Sequence, residues 1–270
     1  MWSYFWGKQK KGGWFHYYGV ALLLKTPIGY LALLPLALFA LLVDKRYRTC
    51  WRHEIVLIAP AVYLFILVST QTGFNHHLRY LVPALPFVYI WASRVGKSFA
   101  LKHRSIAFGA TAAFAIGIVG SLSVFPHSLS YFNQIAGGPV NGKAYLLDSN
   151  IDWGQDLFGL RDWQKKHPES DPINARIFGT VDPSWADISL KPIPRDSKLE
   201  IEWMADPKTG WYAISVNHLM GYRNAGIVQP CLTCFQILKP SAIVGYSIYI
   251  FHVGPEEAKK LKQHFLKTED

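Results

Sequence analysis

The stretch YLLDSNIDWGQDL holds three aspartates within nine residues, directly after an apolar run. Carboxylates this close together could act as general acid and base or bind a hard cation. The local pattern favours a structural role, because Asp152 followed three residues later by Gln155 predicts a capping box at the start of a helix. Asp156 is then expected inside that helix, facing solvent. Asp148, at the predicted end of a strand, is the best candidate for a functional, site-lining carboxylate.

A cation interrupts the first apolar segment, where Lys25 stands in LLLKTPIG. A lysine within such a segment is costly and is often functional. Pro27 predicts that the helix breaks directly after it. A helix break at a membrane surface beside a cation suits a phosphate group. The alternative is that Lys25 extends its amine to water without binding a ligand. Both interpretations stay open.

A second group of candidates lies in FNHHLRYLVPALPF, residues 74–87. Arg79 suits a phosphate, because its planar guanidinium makes paired hydrogen bonds; the alternative is that it only anchors the helix at the membrane interface. His76 and His77 are candidate site-lining residues. Adjacent histidines point in different directions on a helix, so we predict no metal site here, and no cofactor.

Four apolar segments are candidates for membrane spans, which need about 20 mostly apolar residues each. They run approximately over Val20–Val43, Ile55–Thr70, Leu78–Ala92 and Ser105–Phe125. The third is short and contains two prolines. The loops after the first and third segments carry four lysines or arginines each, whereas the loop after the second carries one. Basic loops prefer the cytoplasmic side, and both can lie there only if the third segment also spans.

We therefore predict a membrane α-helical part of about four spans, residues 1–125, followed by a small extracytoplasmic α/β domain, residues 126–270. The protein would be a multi-pass protein of the inner (cytoplasmic) membrane, with the bilayer as a partner. In the outer domain we expect helices over Trp153–Lys166 and after Pro255. The expected strands are Lys143–Leu147, Ala175–Gly179, Trp211–Val216 and a central Ala242–Val253.

A net charge of +10 is compatible with binding to nucleic acid. Much of the basic charge flanks apolar segments, where it orients membrane proteins, so we predict no nucleic-acid partner. Cys231 and Cys234 form CLTC without a second ligand pair for zinc. A local disulfide and two unpaired thiols are both open.

Several segments together resemble a known family. They are GWFHYYGVALLLKTPIGYLALL, HHLRYLVPALPF and SLSYFNQIAGGPVNGKAYLLDSNIDWGQDL, with GWYAIS and IVGYSIYIF further on. They look like the C-terminal half of bacterial membrane glycosyltransferases of the GT-C type, the family of the protein O-mannosyltransferases and the aminoarabinose-lipid transferases. The resemblance implies a polyprenyl-phosphate sugar as donor and sugar transfer outside the cytoplasm. It places Lys25 and Arg79 on the side of the carrier phosphate.

Such enzymes usually hold an acidic residue in their first extracytoplasmic loop, where it orients or deprotonates the acceptor. That acid has no counterpart here, so the catalytic residues stay unknown and the chain looks like a fragment. A separately encoded N-terminal half is a further expected partner. The alternative function is that of a non-catalytic, membrane-anchored binding or assembly protein. The sugar, the acceptor and the polyprenol are not specified by the sequence.

Overall fold

The structure is a computed structural model, and it describes residues 2–71, 77–194, 201–203, 205–222 and 231–269. The chain divides into two compact units. We call residues 3–145 the helical unit and residues 146–270 the sheet unit. The predicted change from membrane part to outer domain lies at Phe125 and Pro126, whereas the units divide between Tyr145 and Leu146.

The first part of the chain is a hairpin followed by helices. The strands are β1, Trp2–Phe5, and β2, Lys8–Lys11. The helices are α1, Tyr17–Lys25; α2, Ile28–Val43; α3, Trp51–Thr70; α4, Leu85–Ala92; α5, Lys97–Ala100; and α6, Arg104–Leu122. α2 packs along α6. α3 packs against α4 and against the 3-10 helix Leu78–Ala84, which precedes α4.

Among the described residues, α3 and α6 are the helices long and apolar enough to cross a membrane alone, each with a mean hydropathy of 1.8. α1 and α2 pass the same test together but are bent by 110° at their junction. The unit therefore has two candidate spans, or three if the bent pair forms one. These candidate spans support a helical membrane part. The predicted number of four spans is supported only in part.

The third predicted span differs from a regular helix. Leu78–Ala84 is a 3-10 helix, and only Leu85–Ala92, the eight residues of α4, is α-helical. Pro83 and Pro86 each lack a backbone N–H, so neither can donate the hydrogen bond that a continuous α-helix requires at its position.

The break after α1 follows from local sterics. Proline disfavours the α conformation in the residue before it, and Thr26 is extended, with φ −92° and ψ 133°. α1 accordingly ends at Lys25, which confirms the predicted break at Pro27, and α2 begins at Ile28.

The two basic loops lie together at one end of the helical unit. Arg94 forms an ion pair with Glu54 at 2.7 Å, and the indole of Trp91 donates to the same carboxylate at 3.0 Å. The hydroxyl of Tyr47 and Nδ1 of His103 are 3.0 Å apart. The start of α3 and the end of α4 are therefore at the same end, and the chain that leaves along α3 returns along the 3-10 helix and α4.

The sheet unit is built on a mixed five-stranded sheet with the strand order β4-β3-β5-β7-β6. Its strands are β3, Ile173–Arg176; β4, Leu190–Pro192; β5, Gly210–Ser215; β6, Ala242–Val244; and β7, Ile248–Val253. Its helices are α7, Leu157–Lys166; α8, Val216–Leu219; and α9, Pro255–Glu269. β3 runs parallel to β4 and β5, whereas β5 and β6 run antiparallel to β7.

Two strand predictions are wrong. The predicted strand Lys143–Leu147 overlaps a 3-10 helix over Pro139–Ala144 instead. The predicted central strand Ala242–Val253 is two strands, since Gly245 and Tyr246 have φ values of 57° and 66° and turn the chain back on itself. β5, not this segment, is the middle strand. The predicted last helix is confirmed as α9.

The core of the sheet unit packs α7 against the sheet. Leu160 of α7 is fully buried together with Ile173, Ala213 and Ile250 from three neighbouring strands. β5 and β7 are buried along nearly their whole length, which matches their near-continuous apolar sequences. The edge of the sheet near the ends of β5 and β6 is where the three aspartates lie.

Candidate functional site

The junction between α1 and α2 is held by a residue that lies far away in the sequence. Asn133 is fully buried, and its side-chain amide donates to the carbonyl oxygens of Leu23 at 2.6 Å and Thr26 at 2.8 Å. Its backbone N–H donates to the carbonyl of Leu24 at 2.9 Å. The last carbonyls of a helix have no partner within the helix, so Asn133 satisfies the end of α1 where the chain bends.

The same loop receives the side chain of Lys25. Its amine donates to the carbonyl oxygen of Leu129 at 2.8 Å and lies 4.4 Å from the ring centroid of Phe132. A cation within about 6 Å of an aromatic centroid is attracted to the ring face. Lys25 is thus held against the loop that carries Asn133. Its contact with phosphate stays a prediction.

The other basic candidates lie on the 3-10 helix Leu78–Ala84 and next to it. Arg79 is exposed, and its guanidinium carbon lies 5.3 Å from the ring centroid of Tyr80. His77 is buried and its ring is 5.4 Å from that of Tyr80. The 3-10 helix packs against α1, the helix that ends in Lys25. His76 lies outside the described residues, as does the side chain of Cys231.

An apolar cavity of about 560 Å³ also lies in the helical unit. It is lined by residues of α2, α4 and α6, among them Tyr30, Tyr89 and Phe114. Its described lining includes neither Lys25 nor Arg79, so it is not the place where these cations would meet a phosphate.

In the sheet unit, the three aspartates of the first motif are all buried. Asp148, Asp152 and Asp156 are 1%, 0% and 2% exposed. α7 begins at Leu157 and not at Trp153, so the predicted capping box is wrong, and Asp156 is at the N-cap position instead of facing solvent. Gln155 turns back to accept from the N–H of Trp153 at 2.7 Å.

Each aspartate ties the motif to a different part of the sheet unit. Asp148, at φ 61°, accepts from the hydroxyl of Tyr222 at 2.7 Å. Asp152 accepts from the hydroxyl of Ser215 at the end of β5. Asp156 accepts from the hydroxyl of Ser247, in the β6–β7 turn, at 2.6 Å. The motif therefore joins three loops at one edge of the sheet.

Asp152 is a buried acid whose carboxyl titrates far from its usual range. Burial raises the pKa of its carboxyl to about 7, because removal from water disfavours the charged form. Hydrogen bonds from Ser215 and from the N–H of Gly154 act in the opposite direction, and the charges of Asp156 and Asp148 add to the rise. Near neutral pH this carboxyl is divided between its protonated and ionised forms.

The arrangement of the three aspartates suits stability better than catalysis. A catalytic acid or base must reach the proton it transfers, and these carboxyls are enclosed and hydrogen-bonded to their own chain. Within the described residues, no group of three or more His, Cys, Asp or Glu side chains is arranged to hold a metal ion. The role of Asp148 in lining a site stays a prediction.

The sequence interpretation missed the residues that complete these networks. Asn133 lies within FNQIAGGP, while Ser215 and Asn217 follow the apolar run of β5. Asn217 accepts from the N–H of Asp148 through its side-chain oxygen at 2.8 Å. In the sequence, such residues could be recognised as polar residues directly beside an apolar segment. The sequence pattern does not identify their hydrogen-bond partners.

Comparison with protein-family models, with curated proteins and with solved structures returned no match for this chain. The resemblance to GT-C glycosyltransferases thus stays a prediction carried by the motifs alone.

Proposed function

We propose that this chain is the C-terminal part of a membrane glycosyltransferase that uses a polyprenyl-phosphate sugar. Lys25 and Arg79 would contact the carrier phosphate. The protein would lie in the inner membrane, with the sheet unit on the extracytoplasmic side.

The single observation that carries this proposal is the clamp at the bend between α1 and α2. Two of the motifs that resemble the family, KTP and FNQIAGGP, are 107 to 110 residues apart yet are joined by the hydrogen bonds of Asn133 to Thr26 and Leu23. The clamp holds a cation at a break in an apolar helix. Fixed cations of this kind suit a phosphate that arrives on a lipid.

The contacts between the basic loops support the proposed topology. Because Glu54 and Arg94 are paired at one end of the helical unit, the short third segment must lead back to the side from which α3 began. We therefore propose four crossings, of which the first is bent at Pro27 and the third is partly a 3-10 helix. Irregular backbone inside a membrane is tolerated where neighbouring protein segments surround it.

The test compares two lipids that differ by one group. Binding of polyprenyl phosphate and of the corresponding polyprenol to the purified 270-residue chain would be measured in the same detergent. We expect the phosphate to bind more tightly. Arg79→Lys keeps the charge and loses the paired hydrogen bonds, so it should weaken phosphate binding about tenfold, since one charge-assisted hydrogen bond contributes ~1.5–3 kcal/mol.

Arg52→Lys is the matched control, because the guanidinium of Arg52 lies over the ring of the neighbouring Trp51 at 5.6 Å, much as Arg79 lies over Tyr80. Arg52 is in the first turn of α3, at the end that we place on the cytoplasmic side, so its substitution should leave binding unchanged. Equal binding of the two lipids, or equal loss in both variants, would reject the phosphate site and favour the alternative of a membrane-anchored binding protein.

A further inference from the structure

A polar cavity of about 470 Å³ lies in the sheet unit, and its described lining includes none of the three aspartates. Its lining residue Phe178 contacts the ring of Trp153 in the aspartate motif. The cavity is lined by Ala175 and Arg176 at the end of β3, by the connection from β3 to β4, and by Leu190 and Pro192 of β4. β3, β4 and β5 run parallel, so their carboxyl ends share this edge. Ligands of open α/β sheets bind beyond the carboxyl ends of the strands, and the volume is within the usual ~300–1,000 Å³ of ligand pockets.

The cavity is lined by side chains of both charges. Arg176 is 5% exposed, and its guanidinium donates to the carbonyl oxygen of Pro194 at 2.7 Å. Asp182 accepts from the N–H of Ser184 at 2.9 Å, and this contact holds the pKa of its carboxyl below the usual value. An anionic ligand would face the carboxylate, and a cationic ligand would face the guanidinium. A neutral ligand with several hydroxyls suits both, since a hydroxyl donates to a carboxylate and accepts from a guanidinium.

An exposed tryptophan directly follows two of the residues that line the cavity. Trp185 is 83% exposed on the 3-10 turn Pro183–Ala186, whose Pro183 and Ser184 line the cavity, while Phe178 lines it from the other end of the same connection. Tryptophan is enriched at binding interfaces, because it combines a large apolar ring with one polar group. A flat ring with one apolar face and several hydroxyls at its edge complements this combination of groups.

We infer that this cavity binds a saccharide unit. Arg176 and Asp182 hydrogen-bond to its hydroxyls, and Trp185 lies against the C–H face of the sugar ring. The inference does not require sugar transfer, and the site is distinct from the bend at Lys25 to which the carrier phosphate is assigned.

The experiment uses the full chain in a detergent without a sugar headgroup, because a glycoside detergent would compete for the site. Saturation-transfer NMR would be recorded with glucose, mannose, galactose and N-acetylglucosamine at millimolar concentrations. We expect transfer to the ring C–H protons of at least one sugar. Trp185→Ala should weaken binding tenfold or more. Trp51→Ala, at a tryptophan that is 65% exposed in the helical unit, is the matched control and should bind as the wild type does.

Asp182→Asn provides a second variant that does not depend on the tryptophan. Its amide oxygen can still accept from the N–H of Ser184, so the turn is kept while the carboxylate charge is lost, and binding should again weaken. Thermal unfolding of each variant would establish that the fold is intact. The inference is overturned if none of the four sugars receives saturation, or if binding persists unchanged in both Trp185→Ala and Asp182→Asn.

Discussion

The buried carboxyl of Asp152 links one residue to the pH dependence of the sheet unit. Its pKa in the folded protein is about 7, against an ordinary value of 3.8. Between these values the folded state holds a proton that the unfolded state has released. Rising pH therefore favours unfolding across this window. The contribution of Asp152 to stability is full below pH ~4 and falls as the pH approaches ~7.

Asp152→Asn should remove this dependence. The asparagine oxygen can accept from the N–H of Gly154, and its amide can donate to the hydroxyl of Ser215, so the neutral form is reproduced. Apparent unfolding temperatures at pH 5 and pH 8 would show a smaller difference in the variant than in the wild type, with the gain in stability at pH 8.

The control for this measurement is Asp162→Asn, because Asp162 is a 58% exposed side chain paired with Arg161. It should keep the pH dependence of the wild type. If Asp152→Asn also kept it, the titrating group responsible would be another one.

At the scale of the elements, the closest packing in the helical unit is between α2 and α6. A methyl group added at Gly29 would overlap the carbonyl oxygen of Ala113 and the backbone of Gly117, and one added at Gly117 would overlap the ring of Tyr30. Small residues permit this close approach of two backbones. Within a membrane the lipid is as apolar as the side chains, so helices associate through such close packing and not through the hydrophobic effect. The position of α2 depends on this contact.

Gly29→Ala should therefore destabilise the helical unit by ~1–3 kcal/mol or more, the usual cost of overpacking. The loss would appear as a lower unfolding temperature in detergent. Gly96→Ala is the matched control, since a methyl group there would meet nothing within 4 Å, and its unfolding temperature should match that of the wild type. Equal stability of the two variants would contradict the close contact of α2 with α6.

At the scale of the whole molecule, the proposed topology makes one prediction about sidedness. The contacts of Glu54 with Arg94 and of Tyr47 with His103 hold the two basic loops together. Reporter fusions after Thr49 and after Lys102 should both report the cytoplasm, while a fusion after Asp270 should report the outside. A cytoplasmic C-terminus would remove the proposed extracytoplasmic chemistry, and opposite results at Thr49 and Lys102 would contradict the contact between the loops.

Some features of this protein could be predicted from the sequence because their causes are local. The apolar character of α3 and α6 is a property of consecutive residues. The break after Lys25 follows from the steric effect of Pro27 on Thr26. The start of α9 follows from Gly254, Pro255 and the acidic residues in its first turn.

Other features were decided by the tertiary structure, because the partners are far apart in the chain. The local pattern predicts Asp152 as a helix cap, whereas in the fold it accepts from the hydroxyl of Ser215, 63 residues away. Asn133 received no prediction from the sequence, yet its side chain closes the end of α1 by a hydrogen bond to Leu23, 110 residues upstream. Local patterns show that a polar group needs a partner, since burial without one is costly. Only the folded chain determines which residue is brought within hydrogen-bonding distance.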